Sequence, residues 1–144
     1  MATGDEFNLE RFVEAQEGVA DTVTRELRAG RKRSHWMWFV FPQVHGLGRS
    51  AMAQRYAIRS LEEAQAYLEH PVLGPRLREW TQLVVNVEGS SAQDIFGYPD
   101  YLKFRSSMTL FSRVPGADPV FEKALDKFYG GKPDSKTLDI LGVT

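Results

Sequence analysis

One run constrains this chain more than any other: Ser34-His35-Trp36-Met37-Trp38-Phe39-Val40-Phe41-Pro42-Gln43. Six consecutive apolar residues, Trp36 to Phe41, carry two of the three tryptophans. Each aromatic side chain buries about 150–250 Å², so the fold must close over this segment. A run that is apolar at every position has no readable period. Extended, it would bury both faces; helical, it would be buried all round. Pro42 stops either form. The basic cluster Arg31-Lys32-Arg33 precedes it, Ser34 and His35 open it, and Gln43 closes it.

Around this run the signals are helical. Asn8 is a candidate N-cap for a helix with Leu9, Phe12 and Val13 on one face, interrupted by Gly18. Val19, Val23 and Leu27 recur every four residues, and Gly30 is placed to end their helix. Ser50 can cap a helix turning Met52, Tyr56 and Ala57 inward. Ser60 and Glu63 have capping-box spacing ahead of a helix ending before Pro71. Leu73, Leu77, Trp80, Val84 and Val87 form the clearest amphipathic stripe, closed by Gly89. Ser91 and Asp94 predict a short capped turn to Gly97. Tyr101, Phe104, Met108 and Phe111 predict a helix from Asp100 to about Val114. Asp118-Pro119 opens a helix with Phe121, Leu125 and Phe128 buried, and Asp134 caps a last turn holding Leu138 and Leu141. No hairpin dipeptide and no sustained alternation appears. The expectation is all-α: a loose terminus over 1–6, then one compact domain over 7–144 of about seven to eight helices, several short.

Composition narrows the function classes. The chain has 144 residues, a common single-domain size, and a net charge of −1. That balance supplies no basic field for gripping nucleic acid, so any basic patch is local. With no cysteine, thiol nucleophiles, thiolate zinc sites and disulfides are excluded. The polar, acidic residues Met1 to Glu10 carry no secretory signal, and no apolar run reaches the ~18–20 residues that span a bilayer. The expected location is cytoplasmic.

Several polar residues can carry chemistry. His35, beside aromatics, can move a proton near neutral pH, or simply cap the segment with Ser34. His45 and His70 read as surface residues, and the histidine spacing is no metal pattern. Gln43, held by Pro42, can present an amide donor and acceptor to a ligand, or lie idle on the surface. Asp100, Lys103 and Ser107 fall on one helix face with Ser106 adjacent; a lysine beside serines can hold phosphate, whereas the plain reading is a surface ion pair. Gly46-Leu47-Gly48 lacks the rest of a dinucleotide fingerprint. No metal or cofactor is expected.

These residues also carry a resemblance. The 34–43 run, Gly46-Leu47-Gly48, Arg55-Tyr56-Ala57, His70 to Gly74, Ile95-Phe96-Gly97, Asp100, Lys103, Ser106 to Phe111, Tyr129-Gly130-Gly131, Asp134 and Thr137-Leu138 together are similar to the signature of a bacterial family of unknown function. Its members are often labelled "calpastatin-like". The resemblance spans nearly the whole chain. It implies a compact, all-helical, cytosolic domain and no established activity. An inhibitor of the calpastatin kind would be a disordered polar chain, which this composition is not.

Three functional readings follow. The first is a small-molecule site for a nucleotide-like or heteroaromatic ligand between the 34–43 segment and the 100–111 helix. There Trp36 or Trp38 would stack, and His35, Gln43 and Asp100 would give directional bonds. Lys103, with Ser106 and Ser107 nearby and an arginine from 31–33, would take an anion. A weaker, catalytic version is an N-glycosidase or hydrolase acting on an ADP-ribose-type nucleotide, with His35, Asp100 or Lys103 as catalytic candidates. The alternative is a protein-interaction module using the basic 25–33 surface. Packing of the two aromatic stripes, 34–43 against 100–111, is expected in every case, because neither can be covered alone.

Overall fold

The computed structural model describes residues 5–143. Ten helices follow in order: α1 Glu10–Glu17, α2 Ala20–Arg28, α3 Met37–Val40, α4 Ala51–Arg55, α5 Leu61–Glu69, α6 Leu73–Val85, α7 Ala92–Phe96, α8 Asp100–Ser112, α9 Val120–Tyr129 and α10 Ser135–Leu141. Among the described residues the only extended pairing is one parallel bridge, Val44 to Ile58. The fold is all-α, as the sequence predicts, with three of the helices only four or five residues long.

Local chemistry sets most boundaries. Ser50, Ser60, Ser91 and Asp134 each accept the backbone N–H three residues on, and Ser91 with Asp94 completes a capping box. The Glu63 carboxylate reaches back one residue further, to the Arg59 N–H at 2.9 Å. Asp118 accepts from Val120 at 2.9 Å, before α9. Asn8 is not the cap of α1. It sits at φ +55°, and the Asp5 carboxylate takes the Leu9 N–H instead. Of the expected loose terminus, Asp5 takes part in starting α1 and Glu6 is exposed; residues 1–4 lie outside the described residues. His70 is half-buried rather than a surface residue, its Nδ1 accepting from Val72 and Leu73 where α6 begins.

α8 is the central element, touched by α5, α7, α9 and α10. Phe104, Ser106, Ser107, Met108, Thr109, Leu110 and Phe111 are all buried. This corrects the polar stripe read from the spacing. Beyond its first turn α8 reaches solvent only in part, at Arg105 and Ser112, because neighbours cover the rest. The hydroxyls of Ser106 and Thr109 turn onto carbonyls one turn back, at 3.2 and 2.9 Å.

The ambiguous aromatic run forms one helical turn, α3. It is pinned by Gln16, which is fully buried: its amide donates to the Phe39 carbonyl at 2.7 Å and its oxygen accepts from Arg76 at 3.1 Å. Phe41 then meets Phe104 edge to face, centroids 4.9 Å apart, with Phe96 stacked on Phe104 at 4.7 Å. The two aromatic stripes pack together as their apolar content requires.

Candidate functional site

The site begins at the end of α2. Gly30, at φ +74°, reverses the chain: its N–H bonds the Leu27 carbonyl and the Arg31 N–H bonds that of Glu26. This Schellman closure turns the basic cluster back over α2. Glu26 then becomes the anchor of Arg33, Ser34 and Trp36. Its carboxylate accepts the backbone N–H groups of Arg33 and Ser34 at 2.8 and 3.1 Å, the Ser34 hydroxyl at 2.6 Å and the Trp36 indole N–H at 2.9 Å. Burial works against the charge, but these donors outweigh it and hold the carboxyl down at about 2. Glu26 carries none of the sequence readings above. The signal was available: with Val23 and Leu27 buried on α2, a carboxylate one step from Leu27 falls on the apolar face.

The anchored loop delivers Lys32 to α8. The Lys32 N–H bonds the Ile95 carbonyl at 2.7 Å, and its ammonium reaches the Asp100 carboxylate at 2.9 Å while lying 5.2 Å from the Trp36 ring centroid. Lys103 approaches the other Asp100 oxygen at 3.6 Å and sits 5.4 Å from the Trp38 centroid. Asp100 thus lies between two ammonium groups, each above an indole.

Two clefts flank this triad. The first, about 320 Å³, is lined by Lys32, His35, Met37, Trp38, Tyr98, Pro99, Asp100 and Lys103. The second, about 310 Å³, holds Gln43, Leu47, Leu102, Ser106 and Lys136. Pro99 and Lys103 line both. The structure therefore brings His35, Trp38, Gln43, Asp100, Lys103 and Ser106 around one rim, at the junction of the 34–43 segment and α8.

Two candidates are corrected. Trp36 is 1% exposed with its indole N–H committed to Glu26, so it is core and offers no face to a ligand. Ser107 is fully buried and lines neither cleft, because the inward face of α8 carries it into the core. The cation supplied by the 31–33 cluster is Lys32, whereas Arg31 and Arg33 point to solvent as exposed residues. Among the described residues, no three histidine or carboxylate side chains gather to hold a metal ion, and no helix is long and apolar enough to cross a membrane.

Fold and site together define a small all-helical domain with a lysine–aspartate–lysine cleft beside its aromatic core. The chain belongs to the DUF1810 family, proteins of unknown function, matching it over residues 6–141. It is similar to the crystal structure of the conserved hypothetical protein Rv1873 from Mycobacterium tuberculosis, with 59% identity, a TM-score of 0.95, and 97% of this chain and 100% of that one covered. No curated protein matches the chain. The resemblance to a bacterial family of unknown function is borne out over most of the chain.

Proposed function

We propose that this domain binds a nucleotide-like or heteroaromatic small molecule carrying an anionic group, in the cleft between the 34–43 segment and α8. One observation carries the reading: Lys32 and Lys103 converge on Asp100 at the wall of a cleft that also holds His35, Trp38 and the exposed ring of Tyr98. Two ammonium groups against one carboxylate leave a local positive charge. Each ammonium has N–H donors beyond those Asp100 can use. A phosphate or carboxylate can take those donors while the carboxylate accepts from a neighbouring ligand hydroxyl. Calorimetry with a nucleotide panel tests this. Binding that disappears in Lys103→Ala at unchanged melting temperature supports the site, and a panel with no binder refutes it.

The hydrolytic version assigns Asp100 or His35 as the acid–base group on an ADP-ribose-type nucleotide. Chromatography of such a nucleotide after long incubation reads it, and an intact substrate removes it. A second reading has its own support. Arg25, Arg28, Arg31 and Arg33 are all exposed on the surface around the α2 end, as a partner-binding face would be. Replacing Arg28 and Arg33 by Glu would abolish capture of such a partner without moving thermal stability. Unaltered capture would end that reading.

A further inference from the structure

The ligand reading leaves open which part of the cleft takes the ring, and the indoles offer little free face for it. Trp36 is buried, and Trp38 already has the Lys103 ammonium over its ring at 5.4 Å. The second cleft has what a flat heteroaromatic ring needs. Its walls include Leu47, Gly48, Pro99 and Leu102, the last 40% exposed. Its one uncharged group with both donor and acceptor free is Gln43, half-buried, whose side-chain amide takes no hydrogen bond from the described residues. The Ser106 hydroxyl is already committed to the Leu102 carbonyl at 3.2 Å.

Resting on the proposed function, we infer that the apolar slot at Gln43 is the base-reading half of the site and the Lys32–Lys103 cleft its phosphate half, so that the ligand is a free nucleoside monophosphate lying across Pro99 and Lys103. Each cleft alone is at the bottom of the ~300–1,000 Å³ range of ligand pockets. A ligand using both matches them better than one confined to either. The shared Lys103 sets the joint between ring and phosphate. Gln43 can meet a base edge that presents a donor beside an acceptor, forming two bonds at once, and an amide covered by the ligand but left unpaired penalises the wrong base. The chain's net charge of −1 suits a free nucleotide rather than a polyanion.

The test uses the full chain, calorimetry, the four ribonucleoside monophosphates, ribose 5-phosphate and a single-stranded tetranucleotide. The variant is Gln43→Glu, which keeps the size and the one acceptor oxygen and puts a charged acceptor where the amide has its N–H donors. The backbone carbonyl of Gln43, which accepts from Ile58 at 2.9 Å, is untouched, so the variant should fold. The expected result is a base preference in the parent chain that shifts by about tenfold in Gln43→Glu, as loss of a bidentate edge contact implies. Affinity for ribose 5-phosphate should change by clearly less than that shift, and only through the added charge, an effect that salt screens. Nucleotides that bind with the same order of preference in both proteins would overturn the base-reading role while leaving the proposed function standing. A tetranucleotide that binds more tightly than its monomers would overturn the free-nucleotide class. No binding of any compound to the parent chain would overturn both readings.

Discussion

The Trp36 indole N–H donates to the Glu26 carboxylate at 2.9 Å, joining the most buried tryptophan of the aromatic run to the last turn of α2. Every other residue from Arg33 to Trp36 except His35 also bonds that carboxylate. The candidate site therefore hangs on a group that never touches it. Because the folded carboxyl titrates at about 2, below its ordinary 4.5, its contribution is fully present above pH 4.5 and is lost as pH falls toward 2. Glu26→Gln should be less stable at neutral pH, since its amide would turn N–H groups toward existing donors, and its acid unfolding curve should be shallower. Parallel curves for the two proteins between pH 6 and 2 would contradict the anchoring role.

The two tryptophans of the run should separate in stability. Trp36 is core, so Trp36→Ala should cost about 3–5 kcal/mol. Trp38 is only half-buried and should cost clearly less. Urea denaturation of the two variants measures this, and equal midpoints would show that the difference in burial has no energetic weight.

Around Asp100 the two lysines are not equivalent. The Lys32 side chain is 8% exposed and 2.9 Å from the carboxylate; Lys103 is 27% exposed and 3.6 Å away. Removing the counter-charge leaves the buried ammonium uncompensated, so Asp100→Asn should cost roughly 1–3 kcal/mol. Lys103→Ala should cost under about 1 kcal/mol, the ordinary worth of a solvent-screened helix pair. A double-mutant cycle between Lys32 and Asp100 should show coupling well above that between Lys103 and Asp100. Equal couplings would make the triad symmetric and refute this.

What the sequence made legible was local. The caps at Ser50, Ser60, Ser91 and Asp134, the reversal at Gly30 and the stripe from Leu73 to Val84 depend on residues three or four apart, and each sits where its spacing places it. The convergence of the 34–43 run on α8 was also legible, because two unpaired aromatic stripes in one small domain have few other ways to be covered. The failures are non-local. Asn8 has a good cap's chemistry, but Asp5 reaches the helix start with a charged acceptor. The α6 helix stops at Val85 rather than near Gly89, where Lys127 from α9 binds the carbonyls of Val85 and Val87. No spacing signals the burial of Gln16 and Glu26, or that Glu63 does more than cap α5, because burial of a polar side chain depends on donors brought from elsewhere. Their places beside Phe12, Leu27 and Ala64 on buried faces were the available hint.

Ser107 illustrates the same limit with a sharper consequence. Its hydroxyl is fully buried and has no hydrogen-bond partner among the described residues. A buried hydroxyl without a partner bears its desolvation cost uncompensated. Ser107→Ala should therefore be neutral or stabilising, with ligand affinity unchanged. A loss of more than about 1 kcal/mol in chemical denaturation would mean that the hydroxyl makes a bond worth keeping.

Gly74 lies where α6 meets α5 with no room for a side chain, and through that contact it bears on the seat of α3. A Cβ built there would stand 2.0 Å from the Leu68 carbonyl oxygen and 2.8 Å from its carbon, both backbone atoms that cannot swing aside. In an open helix, Gly to Ala gains about 1 kcal/mol. Here α5 and α6 must move apart instead, and overpacking of this kind costs about 1–3 kcal/mol or more. The steric cost exceeds the propensity gain, so Gly74→Ala should be net destabilised. The displacement has a path toward the site: α5 carries Tyr67, whose hydroxyl meets the Gln16 amide at 3.3 Å, and that amide holds the Phe39 carbonyl of α3 at 2.7 Å. Amide hydrogen exchange on Gly74→Ala should thus show faster exchange in α3 as well as along α5 and α6. A variant that melts at or above the parent temperature would refute the tight crossing. One that is destabilised with α3 fully protected would keep the crossing and break the link to the site.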